Sequence, residues 1–337
     1  MKKLILSIVC LILMGVLSIQ AQTAKIILQH GDEAKIFASY QLQNAINEAV
    51  DNDVIYLNEG TFHSTSNEDG YYGDSGTNYY LRLNKSISFI GAGFDKTYLF
   101  NFVELSDDIS VSFEGMKIAG LGLYFRTLNQ KRVIKDVKAN KCIINWLFFS
   151  RYYHTDISWP DIQNMQFESC DIGKVYFGNT FLKGLITNCK IGVFDADRNW
   201  CNLLLKNCNI KSFKNLYGEE ISLENCIFSK TENSSIYASN IINTLYYRET
   251  DFSFNCSNVK NIWLTVNALF DINGECTMSD EELKNAGYLG TDGTVIGING
   301  GATPFDLTSS RPNVSEYKID IDPQTRKMTI NLKVNSK

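Results

Sequence analysis

Apolar and polar positions fall into a repeating unit in the middle of the chain. Four segments align without gaps: Phe167-Glu168-Ser169-Cys170-Asp171-Ile172, Ile186-Thr187-Asn188-Cys189-Lys190-Ile191, Leu205-Lys206-Asn207-Cys208-Asn209-Ile210 and Leu223-Glu224-Asn225-Cys226-Ile227-Phe228. Each reads apolar, polar, polar, cysteine, variable, apolar, and the cysteines lie 19, 19 and 18 residues apart. Val175, Phe194 and Phe213 follow the first three cysteines by five places. Weaker copies flank the block. Upstream are Phe113-Glu114-Gly115-Met116-Lys117-Ile118 and Lys141-Cys142-Ile143-Ile144. Downstream is Tyr247-Arg248-Glu249-Thr250-Asp251-Phe252, with Thr250 in the cysteine place. The flanking intervals lengthen to between 24 and 28 residues, as loops inserted at one corner of a coil would make them.

Short β-runs at a period near twenty residues predict an all-β solenoid, the parallel β-helix. One coil cannot bury its apolar side, whereas stacked coils build a continuous core with like residues about 4.8 Å apart. The period-two rule then points each cysteine and the apolar residue two places on inward together. Asn188, Asn207 and Asn225 fall at a turn, where asparagine tolerates bent backbone and can bond its neighbours along the stack. A leucine-rich solenoid has a similar period, but its strict leucine spacing is absent.

The ends read differently. From Tyr40 to Val50, Leu42, Ala45, Ile46 and Ala49 recur at helical spacing. Asp51-Asn52-Asp53 breaks that helix, Val54-Ile55-Tyr56-Leu57 is a strand and Asn58-Glu59-Gly60 a turn. A helical cap there would cover the open end of the core, which otherwise exposes apolar side chains and strand edges. Composition shifts near Asp271. Tyr317, Ile319 and Ile321 alternate with polar residues, and after Asp322-Pro323-Gln324-Thr325 the alternation resumes at Met328, Ile330, Leu332 and Val334. That is a β-hairpin with one apolar face, read here as part of a pad packed on the solenoid. The opening is a secretory signal: Lys2 and Lys3, an apolar run from Leu4 to Ile19, then Gln20-Ala21-Gln22. The expected organisation is therefore a signal peptide over 1–21, a β-helix with its cap over 22–270 and a C-terminal β module over 271–337. No second long apolar run follows, so no transmembrane segment is expected after cleavage.

Charge narrows the partners. Net charge is −5, and loss of Lys2 and Lys3 would take it two units lower, which excludes a nucleic-acid binder relying on phosphate contacts. Three histidines and no Cys-x-x-Cys pair leave no basis for a metal centre. In an exported protein the eight cysteines beyond Cys10 could form a disulfide framework. Parallel side chains on stacked coils hold Cβ atoms too far apart for relaxed bridges, so buried free thiols are expected at Cys170, Cys189, Cys208 and Cys226.

The run Leu42-Gln43-Asn44-Ala45-Ile46, then Asp53-Val54-Ile55-Tyr56-Leu57-Asn58-Glu59-Gly60-Thr61-Phe62, resembles the opening of pectate-lyase-like right-handed parallel β-helix proteins. Ile87-Ser88-Phe89-Ile90-Gly91-Ala92-Gly93 looks like their second coil. The tail Gly290-Thr291-Asp292-Gly293-Thr294-Val295-Ile296-Gly297-Ile298-Asn299-Gly300-Gly301 is similar to a closing segment of β-helix proteins secreted by Gram-negative bacteria. The resemblance implies a right-handed coil and a place in the periplasm, at the cell surface or outside the cell. It spans lyases, hydrolases, esterases, adhesins and inactive members, so it implies no single activity.

Catalysis on such a fold draws carboxylates from outward positions of neighbouring coils. Two places before each cysteine stand Glu168, Thr187, Lys206 and Glu224; one place after stand Asp171, Lys190, Asn209 and Ile227; three places after stand Gly173, Gly192, Lys211 and Ser229. No column stacks two acids on adjacent coils, and this face reads as solvated surface. The acidic motifs of polygalacturonases and the Arg-centred motif of pectate lyases have no counterpart. Gly91-Ala92-Gly93 lacks the third glycine of a dinucleotide loop, so no cofactor is implied.

Three clusters remain. Asp195, Asp197 and Arg198, beside Trp200, are catalytic candidates in a loop between coils. Trp146, Phe148, Phe149, Tyr152, Tyr153, His154 and Trp159 crowd the longest interval between repeats, with Asp156 and Asp161. Rings there could stack on sugar faces, and Trp159, Tyr152, Tyr153 and Asp156 are ligand-binding candidates. Tyr71 and Tyr72 flank a glycine-rich insertion that could overhang the same groove. Three readings follow: a non-catalytic surface protein binding glycan or another macromolecule along its flank, a divergent lyase or hydrolase of acidic polysaccharide, or a structural surface subunit.

Overall fold

The computed structural model describes residues 24–64, 80–106, 108–125, 133–151, 161–178, 180–197, 200–216, 220–231, 235–247, 253–265, 267–308, 313–321 and 328–335. The expected signal segment and cleavage point lie outside them. No described helix is long and apolar enough to cross a membrane. The described chain is all-β, dominated by one unclosed, mostly parallel sheet of 22 strands.

The sheet has the arrangement of a β-solenoid. Strand Lys190–Asp197 pairs in parallel with Asp171–Gly178 on one side and Asn209–Leu216 on the other, so Ile172, Ile191 and Ile210 stand in one column. Neighbouring columns hold Cys170, Cys189, Cys208 and Cys226, all buried, and Val175, Phe194 and Phe213, all buried. Phe177, Phe194, Phe213 and Phe228 meet ring against ring at 5.3–5.7 Å. The five-place step has a geometric cause. Two consecutive residues of each coil, such as Gly173 and Lys174, face outward at a corner before Val175 turns in.

From Lys141 onward each coil passes through one left-handed residue just before the place that cysteine holds in the central coils. Lys141, Ser169, Asn188, Asn207, Asn225, Asn243 and Asn261 have φ between 47° and 53° or, at Asn225, 55°. Asparagine enters this region at lower cost than most residues. The turn lets each thiol donate to the carbonyl two residues earlier, at 3.2 Å from Cys170 to Glu168 and 3.3 Å from Cys208 to Lys206. None of the eight described cysteines forms a disulfide. One register differs from the sequence reading. Leu245 pairs with Ile227, so Asn243-Thr244 follows Asn225-Cys226, and buried Thr244 takes the cysteine place rather than Thr250.

At the first coil an antiparallel hairpin, Lys25–His30 with Glu33–Ala38, pairs along Val54–Leu57. No periodicity in the sequence marked it. Helix α1, Leu42–Glu48, buries Leu42, Ala45 and Ile46. Asn52, at φ 74°, breaks the chain direction after it, and the Asp53 carboxylate accepts the Val50 N–H at 2.8 Å. Lys85 donates to the carbonyls of Asn47 and Ala49, satisfying the helix end. The C-terminal hairpin joins Asn313–Ile321 to Met328–Asn335 antiparallel, with Ile319 opposite Ile330. It forms a sheet of its own.

Candidate functional site

The strand Ile143–Arg151 crosses the flank near the middle of the stack. Leu147 and Phe149 point inward and are buried, whereas Trp146 points outward and is 52% exposed. Parallel pairing sets Trp146 beside Lys174 and Phe148 beside Tyr176 on the next coil. Three rings result in nearly parallel planes, Trp146 to Phe148 at 6.4 Å and Phe148 to Tyr176 at 5.1 Å. Lys174 Nζ stands 5.3 Å from the Trp146 ring centre. The row is thus an apolar, ring-edged ridge with a cation at one end and a phenol at the other. Lys174 and Tyr176 were absent from the sequence candidates. The signal for them was available, since both follow Cys170 at the places where Trp146 and Phe148 follow Cys142.

Asp195 occupies the next place beyond Tyr176 in the same column, and it is buried to 3% exposure. A carboxylate that solvent and substrate cannot reach is poorly placed for acid–base work. Asp197 ends the same strand, opposite Gly178. Arg198 lies outside the described residues, so this cluster is not assembled among them. Trp159, Tyr152, Tyr153, Asp156, Tyr71 and Tyr72 also lie outside the described residues. The segment with the first four leaves from Arg151, the end of the strand that carries Trp146.

Carboxylates elsewhere are held as structural anchors. Asp136 accepts from Asn164 at 2.6 Å and from Ser110 at 2.9 Å. The Asn164 bond foremost, with Ser110 and nearby Lys138, holds its pKa below the ordinary value against the opposing effect of burial. Burial raises the Asp171 pKa, Lys190 opposes the rise and Glu275 adds to it. Lys206 pairs with Glu224 at 3.0 Å across the change of sign in the outward column. Among the described residues no group of three or more His, Cys, Asp or Glu is placed to hold a metal ion.

One outward column is not the solvated surface that its sequence suggested. The segment 267–308 runs as a strap down the turn column. Lys190 binds Glu275 at 2.6 and 2.7 Å, Asn188 Nδ2 donates to the carbonyls of Ile298 and Gly300, and Lys141 Nζ reaches Asp306 and Thr308. Helix α2, Asp280–Asn285, starts on a capping box of Ser279 and Glu282. Beneath it Asn209 and Ile227 are buried. Between α2, Ile296, Ile298 and those two residues lies a cavity of ≈ 420 Å³. No protein-family model, curated protein or solved structure matches the chain.

Proposed function

We propose that the protein is an exported, right-handed parallel β-helix of the pectate-lyase-like kind that binds glycan along its flank without cleaving it. The observation that carries the reading is the exposed Trp146 at the head of the Trp146–Phe148–Tyr176 row. An indole held in a rigid strand presents a large apolar surface to a sugar ring at small entropic cost, and Lys174 beside it suits an acidic sugar. Successive coils repeat at a length comparable with one pyranose unit, so a chain laid along the flank could meet successive rows. Right-handedness follows from the strong preference of parallel crossovers. In this reading α1 and the Lys25–Ala38 hairpin act as the N-terminal cap, supported by the burial of Leu42, Ala45, Ile46 and Ala49 in the common core.

Trp146→Ala tests it. Binding to a panel of acidic and neutral polysaccharides should fall about tenfold, the loss of one good aromatic contact. Stability should fall by no more than about 1–2 kcal/mol, the scale of its contacts with Phe148 and Lys174, which leaves the stack folded. Unchanged binding, or no binding by the parent protein across the panel, overturns the reading. Release of new reducing or unsaturated ends would replace it with the lyase or hydrolase reading.

A further inference from the structure

Among the described residues the last coil of the stack is open along Ser253–Lys260, whereas Trp263 farther on packs against Tyr288 of the strap. Strand Ser253–Thr265 pairs with Ser235–Tyr247, and among the described residues no strand pairs with its other edge. Ile241 is fully buried, yet its partner on the last coil, Val259, is 48% exposed. Leu264, opposite Tyr246, is 43% exposed. Cys256 and Ile262 pack on the core but stay only partly buried. The asparagine ladders also stop here: Asn261 donates to Asn243 at 2.8 Å and Asn258 to Asn240 at 3.1 Å. An apolar layer beneath an unpaired backbone edge is a template for an added strand.

The chain contains an element that fits this edge. The C-terminal hairpin has strands of 9 and 8 residues, long enough to line Ser253–Lys260 ahead of the turn at Asn261. The alternation in its sequence makes one face apolar, and an isolated two-stranded hairpin is marginal in water. Asn313–Ile321 carries Glu316 and Asp320 against Lys318, one net negative charge, and the edge strand carries Lys260 as its charge. The hairpin cannot serve its own chain. Among the described residues the strap's last hold on the stack is Thr308, whose carbonyl accepts from Lys141 Nζ at 3.0 Å. From Lys141 the turn column climbs through Ser169, Asn188, Asn207, Asn225 and Asn243 to Asn261, a rise of about 29 Å at the inter-strand spacing. The residues from Thr308 to Asn313 reach about 18 Å at full extension.

We propose that the C-terminal hairpin of one copy adds to the Ser253–Lys260 edge of a second copy and covers Val259 and Leu264. Each copy gives a hairpin at one surface and receives one at another. The contact is heterologous, so assembly runs from dimers to longer chains unless it closes into a ring.

Light scattering on the full chain should show mass rising with concentration. Val259→Lys with Leu264→Lys should abolish this by spoiling the receiving edge, and Ile319→Asp with Ile330→Asp by spoiling the hairpin. Mixing the two variants should restore a complex that stops at one copy of each, since one intact edge meets one intact hairpin. Amide exchange on the unaltered chain supplies a test independent of variant folding: those amides of residues 253–260 that point away from Ser235–Ile242, and so form the free edge, should gain protection only at concentrations where mass has risen. A monomer at every concentration overturns the proposal. So does self-association that survives the hairpin substitutions, failure of the folded variants to combine, or protection of the edge in the monomer.

Discussion

At the residue scale, the left-handed turn and the thiol beside it explain most of the repeat. Asn188 has φ 50° and a side chain buried against the strap, so its two duties can be separated. Asn188→Gly keeps the backbone and loses the bonds to Ile298 and Gly300; Asn188→Ala loses both. Denaturant unfolding should show the alanine variant less stable than the glycine variant by about 1–2 kcal/mol, the cost of a left-handed backbone with a Cβ. Equal stabilities would mean that the turn carries no strain. Burial pushes the thiols of Cys142, Cys170, Cys189 and Cys208 up, and that of Cys201 up to about 12. A thiol that is not ionised is a poor nucleophile. An alkylating reagent at mildly alkaline pH should therefore leave these five unmodified in the native protein and label them on unfolding. Labelling first at Cys256 and Cys276 fits their partial burial, whereas rapid native labelling of the column would contradict it.

At the element scale, coils and strap were unequally legible. A coil announces itself because its inward places recur at a fixed interval, so Cys170, Cys189, Cys208 and Cys226 align by inspection. The strap has no period. Its glycines answer to residues far away in the chain: a Cβ at Gly297 would come within 2.5 Å of Asn209 Oδ1, and one at Gly301 within 2.4 Å of Asn207 Nδ2. Nothing near Gly297 in sequence expresses that constraint, and for the same reason Asn209 and Ile227 read as solvated. The strap's far end is held by Asp306, whose pKa is lowered to about 2, first by the Thr308 hydroxyl, then by the Thr308 N–H, with Lys141 adding to it. A carboxylate whose folded pKa lies below its ordinary 3.8 stabilises the fold at higher pH. That contribution fades as pH falls from the ordinary value toward the folded one. The Thr308 amide should lose exchange protection across this acid window, and Asp306→Asn should remove the transition while leaving the stack folded. A transition unaltered in the variant would assign it to another group.

At the scale of the whole molecule, stacking makes a quasi-one-dimensional object in which each coil contacts its neighbours and the two ends are special. The N-terminal helix was visible through the spacing of Leu42, Ala45, Ile46 and Ala49, although α1 spans fewer residues than the pattern from Tyr40 to Val50. The Lys25–Ala38 hairpin was not, because its second strand is largely exposed and shows no clean alternation. The exposure of Val259 on the last coil was equally hidden, since among the described residues it differs from its buried counterpart Ile241 only in what lies above it. The flank was half legible: the crowd of aromatics around Trp146 stood out, but the register that brings Lys174 and Tyr176 to it is a property of the stack.

All of this rests on one sulfur column, and anomalous scattering from native sulfur in crystals would locate it directly. The account predicts Sγ atoms of Cys142, Cys170, Cys189, Cys208 and Cys226 in a single row, one coil apart at about 4.8 Å. Sulfurs dispersed through the molecule, or joined in pairs at the bonded distance of about 2.05 Å, would contradict it.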